Sequence, residues 1–166
     1  FLEPTTEIFK YPVKWRLVTP RVEKKYKAAP IDPAYIKGHV PPGSLVLVST
    51  RKRANSHATS DAPPADKEGK RLDATGKRVS LQAANQFRIA NSIGLISRYN
   101  RAQWDEMESL LQHLPDEYKA KGHELFQEGR VVSNAAITCA ADAADTAARS
   151  INTSIMLRRH AWLRNS

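Results

Sequence analysis

Residues 66–114, DKEGKRLDATGKRVSLQAANQFRIANSIGLISRYNRAQWDEMESLLQHL, contain no proline, and residues 115–163, PDEYKAKGHELFQEGRVVSNAAITCAADAADTAARSINTSIMLRRHAWL, contain only the opening Pro115. In the first stretch Leu72, Val79, Ile93, Met107 and Leu114 stand at multiples of seven from one another. That spacing predicts one helix of roughly 45 residues, or about 70 Å. Asp66 is placed to cap its start, and Pro115 ends it while suiting the first position of a second helix. Asp116 and Glu117 then fall in a first turn, where carboxylates complement the helix dipole. The second helix is expected to reach about Leu163. The expected fold is therefore mainly α: a long, coiled-coil-like antiparallel hairpin over residues 66–166 with its bend near Pro115.

Small residues carry the packing information. Gly69, Gly76, Ala83, Ala90 and Ser97 are seven apart in the first helix, as are Gly122, Gly129, Ala136, Ala143 and Ser150 in the second. A further row, Ser133, Ala140, Ala147, Ser154 and Ala161, lies four residues round from the latter. Such rows let two backbones approach more closely than leucine seams allow, so the helices are expected to pack along them. Antiparallel pairing about Pro115 places Ala90 opposite Cys139 and Trp104 opposite Leu125. Cys139, the only cysteine, excludes an internal disulfide and reads as a small buried thiol without a redox role.

A narrow hairpin of this kind buries too little apolar surface to offset about 1–2 kcal/mol of backbone ordering entropy per residue. Phe87, Ile89, Leu95, Ile96, Leu110, Leu111, Val131, Ile137, Ile151, Ile155 and Trp162 lie beyond the small rows. They call for a second hairpin in a homodimer, for the N-terminal arm folded across one face, or for both.

Ahead of the hairpin the composition changes. Residues 1–48 read as an extended, proline-rich arm with one short strand, Leu45–Val48, after Pro41, Pro42 and Gly43. The aromatic residues Phe9, Tyr11, Trp15, Tyr26 and Tyr35 could anchor that arm on a folded surface. Residues 49–65 read as a polar linker. Net charge is +9, and residues 1–60 hold eleven Lys/Arg against four Asp/Glu, whereas the remainder hold fifteen against thirteen. The positive field is thus assigned to the arm. Its cations Arg21, Lys24, Lys25 and Lys27 and the cluster Arg51, Lys52 and Arg53 are the candidates for contacting RNA or DNA phosphate, an acidic protein surface or a nuclear import receptor, or for simple solvation. Arg158, Arg159, His160 and Arg164 are read as complementing the dipole of the helix end.

No catalytic, cofactor-binding or metal-binding set emerges. The five histidines lack ligand spacing with one another or with Cys139, and no phosphate loop, nucleophile elbow or HExxH pattern occurs. No apolar run reaches the roughly eighteen residues a membrane span needs, and no signal peptide pattern opens the chain. The expectation is a non-enzymatic intracellular protein, nuclear or cytoplasmic, and a piece of a longer polypeptide.

Several stretches act as a set: KWRLVTPRVEKKYKAAPIDPAYI, PPGSLVLVSTRKR, PPADKEGKRLDATGKRV, RIANSIGLISRYNRAQWDEM and ADTAARSINTSIMLRRHAWLRNS. In order, they resemble the Gag-like region of DIRS-type tyrosine-recombinase retrotransposons and the related C-terminal region of lamina-associated polypeptide two alpha. The resemblance implies an elongated, dimeric helical domain without enzymatic activity. It leaves two functions open. One is a Gag-like structural protein that self-assembles and packages nucleic acid; the other is a domesticated nuclear scaffold dimer that binds lamin- or chromatin-type partners. It carries over no individual functional residue.

Overall fold

The computed structural model describes residues 18–28, 30, 64 and 66–163. Three helices occur there: α1 (Pro20–Lys25), α2 (Lys67–Leu111) and α3 (Asp116–Leu163). The long pair forms an antiparallel hairpin, so the described protein is mainly helical. The expected Leu45–Val48 strand and the Arg51–Lys52–Arg53 cluster lie outside the described residues.

Residues 20–25 of the arm are helical, where the proline content predicts extended chain or short turns. The prolines do not prevent this, because Pro20 occupies the first turn, where its missing N–H would have had no partner. Thr19 caps this helix, its hydroxyl accepting the Val22 N–H at 3.4 Å. At the start of α2 the Asp66 carboxylate accepts the Gly69 N–H at 2.9 Å. α2 ends at Leu111, three residues before Leu114. The Leu114 N–H turns back to the Leu111 carbonyl, and the Tyr118 N–H to the Pro115 carbonyl, so α3 starts at once.

The seam between α2 and α3 is built from small side chains. Gly69, Gly76, Ala83, Ala90 and Ser97 of α2 are buried, and facing them are Ser133, Ala140, Ala147, Ser154 and Ala161 of α3, with Phe126 extending that row towards the bend. The row Gly122, Gly129, Ala136, Ala143 and Ser150 is only half-buried and flanks the seam. Glycine is required where the other helix comes closest. A Cβ on Gly76 would lie 2.5 Å from Arg158 Cγ and 3.1 Å from the Ser154 carbonyl oxygen, and one on Gly129 would enter the Trp104 indole.

The register differs from the expected one. Trp104 packs on Gly129, leaving Leu125 exposed, and Ala140 rather than Cys139 faces α2 beside Gly94. Cys139 is exposed and not the buried thiol expected, since one residue along a helix turns a side chain by about 100°. Leu111 and Ile151, expected among the leftover outer residues, are buried.

Candidate functional site

Two surfaces and one buried pair stand out on the hairpin. The first surface is apolar. Along α2, Ile93, Ile96, Asn100, Gln103, Met107 and Leu110 alternate at three- and four-residue spacing, which defines one face of a helix. Along α3, Tyr118, Leu125, Val132 and Cys139 recur every seven residues. The two stripes border the same edge of the seam: Asn100 Nδ2 donates to Ser133 Oγ at 2.8 Å, next to Val132, and Trp104 packs on Gly129, midway between Leu125 and Val132. The opposite edge is closed by Asp105, which pairs with Arg101 of its own helix at 3.2 Å and with Arg130 across the seam at 3.5 Å.

This face is open. Ile96 is 69% exposed, Leu110 62% and Val132 65%. Ten of the thirteen large apolar side chains exposed among the described residues lie between Ile93 and Val132, so the uncovered apolar surface belongs to the bend half of the rod.

The second surface is basic and lies towards the open end. Lys67, Lys70, Arg71, Lys77 and Arg78 surround Ala74 on the side of α2 turned away from α3, because Gly69, Asp73, Gly76 and Ser80 fill the seam. Averaging charge over residues 61–166 hides this stripe, since Asp66, Glu68 and Asp73 lie within the same stretch and the acids Asp105, Glu106, Glu108, Asp116, Glu117, Glu124 and Glu128 gather at the bend. Counting charge along one helical face would have found it. Of the arm cations singled out by sequence, Arg21, Lys24, Lys25 and Lys27 are exposed, and Lys25 and Lys27 join Tyr26, Phe87, Arg88, Asn91 and Ser92 in lining one pocket on α2. The Arg88 guanidinium donates to Asn85 Oδ1 at that site.

Between the two helices lies an ion pair that sequence spacing could not show, its members being 85 residues apart. Arg158 Nε donates to Asp73 Oδ1 at 2.8 Å, and the two side chains are 4% and 3% exposed. Lys77 reaches the other carboxylate oxygen at 2.9 Å. Burial alone would raise the Asp73 carboxyl, but the hydrogen bonds and charges of Arg158 and Lys77 outweigh it and hold the group below the ordinary aspartate value. Arg158 is thus a partner buried in the seam, not only a cation at a helix end. The absent Cβ of Gly76 makes room for its stem.

Among the described residues, no group of three His, Cys, Asp or Glu side chains could hold a metal ion, and no helix is long and apolar enough to cross a membrane. The chain matches no family model, no curated protein and no solved structure.

Proposed function

We propose that this chain is a Gag-like structural protein of a retroelement, which associates with further copies of itself through the apolar face of the hairpin and contacts nucleic acid through basic residues of its arm. The Gag-like element of the reading rests on the resemblance of five sequence stretches to such proteins, and self-association rests on the composition of the seam. Its buried apolar side chains are six alanines, Ala83, Ala84, Ala90, Ala140, Ala147 and Ala161, with only Leu111, Phe126 and Ile151 of larger size.

Each alanine methyl contributes about 0.8 kcal/mol when buried, set against about 1–2 kcal/mol of ordering entropy for every backbone residue. The face holding Ile93, Ile96, Met107, Leu110, Leu125 and Val132 is the apolar surface left to close that gap. A second copy supplies a matching surface without any new chemistry, since a two-fold contact uses the same patch twice. Sedimentation equilibrium tests the reading: a dimer or larger species at micromolar concentration is expected, and a cooperatively folded monomer would overturn it.

A further inference from the structure

We infer that the outer face of α2 near the open end is a docking track for the phosphate backbone of a duplex nucleic acid. The inference rests on and deepens the nucleic-acid half of the proposed function, because it moves the principal contact from the arm to the hairpin and makes the arm an extension of it. Lys67, Lys70, Arg71 and Arg78 stand exposed at i, i+3, i+4 and i+11, and Lys77 at i+10 is half-buried and held by Asp73. At Arg88 the fold brings Lys25 and Lys27 of the arm to one pocket, but Arg88 is half-buried with its Nε covered and Asn85 beside it is buried, so the exposed row on the helix ends at Arg78. From Lys67 to Arg78 the helix rises about 17 Å, close to half a turn of B-form duplex at about 34 Å. A rigid row of that length can follow the phosphates of one duplex strand.

The chemistry of the track selects among polyanions. The side of α2 opposite the track is closed against α3 by Gly69, Gly76, Ser80 and Ala83, with Leu72 and Val79 half-buried beside them, so the helix has no wide apolar side to insert into a lipid surface. No aromatic residue occurs between Lys67 and Arg78, so unstacked bases would find no platform there, which disfavours a single strand. A protein partner would be expected to use apolar or aromatic anchors, and between Lys67 and Arg78 this face offers cations and Ala74, with Leu81 beyond them its one exposed large apolar side chain. A rigid, regularly charged duplex fits what remains.

The test is fluorescence anisotropy with the full chain and a labelled 20-base-pair duplex of mixed sequence, titrated across salt concentration. Wild-type affinity should fall steeply with salt. The triple change Lys70→Gln, Arg71→Gln and Arg78→Gln should lower the slope of log K against log salt by about 2–3, at roughly 0.9 for each phosphate no longer neutralised. Lys119→Gln with Lys121→Gln at the bend should leave it unchanged, with circular dichroism confirming that both variants fold. The arm triple Arg51→Ala, Lys52→Ala and Arg53→Ala separates the two claims. A reduced slope in that variant alone would overturn the track and retain the arm. A reduced slope in the hairpin variant supports the track whether or not the arm variant also weakens. No duplex binding by wild type at low salt would overturn both, and binding to phosphatidylserine vesicles without duplex binding would overturn the track.

Discussion

Replacing one glycine by alanine at two sites on the same helix should change stability by clearly different amounts. Gly76 and Gly94 both lie inside α2, where exchange for alanine is intrinsically worth about 1 kcal/mol in favour of the helix. At Gly94 the new methyl would meet only Ala140 Cβ, at an ordinary 3.6 Å, so most of that gain should be kept. At Gly76 it would lie 2.5 Å from Arg158 Cγ and 3.1 Å from the Ser154 carbonyl, in a position fixed by the Arg158–Asp73 pair. Overpacking of this kind costs about 1–3 kcal/mol, and because the helix-propensity gain is common to both variants it cancels in their difference. Gly76→Ala should therefore be about 1–3 kcal/mol less stable than Gly94→Ala, a separation of roughly 2–12 °C in Tm for a chain of this size. Thermal melts by circular dichroism at one fixed protein concentration would show it. Equal increases in Tm for the two variants would refute the close approach of α3 at Gly76.

Other outcomes follow from the seam. Asp73→Asn should cost about 3–5 kcal/mol in urea denaturation by removing the carboxylate from the buried Arg158 guanidinium, Arg158→Met should cost less because Lys77 still pairs with Asp73, and the double change Asp73→Leu with Arg158→Met should be less destabilising than Asp73→Asn. Because the Asp73 carboxyl is held below its ordinary value in the fold, the stability it contributes is complete above the unfolded-state pKa and is lost as pH falls through the lower folded one. Acid titration of Tm should therefore be shallower in Asp73→Asn than in wild type. Phe126→Ala, at a side chain 1% exposed, should cost about 3–5 kcal/mol. Ala90→Leu should cost about 1–3 kcal/mol by forcing the helices apart, and an unchanged melt would place Ala90 outside the seam.

The long-range plan of the hairpin was readable because it rests on local signals. The absence of proline from 66–114, the Asp66 cap and Pro115 set the two helices, and the heptad recurrence of Gly, Ala and Ser marked their seam. Rotation and register were not readable in the same way. Two small rows on the second helix differ by four residues, or about 40° of rotation, and both look alike in sequence. The bulk of Trp104, which needs the bare backbone of Gly129, and the reach of Arg158 to Asp73 distinguish them in three dimensions. Cys139 follows the same logic, since its neighbour Ala140 takes the seam and turns the thiol outward. The basic track was hidden for a different reason: charge counted along the chain averages one helical face with the acids Asp66, Glu68 and Asp73 on its other sides and with the acids at the bend.

Self-association through the apolar face of the bend half is the central claim. Sedimentation velocity on wild type beside the double variant Ile96→Lys and Leu110→Lys tests it directly, because both positions are exposed in the isolated hairpin and neither is among the buried seam residues that hold it together. Wild type should sediment as a dimer or larger species at micromolar concentration, and the variant as a monomer with reduced Tm. A wild-type monomer, or a variant that assembles as wild type does, would contradict it.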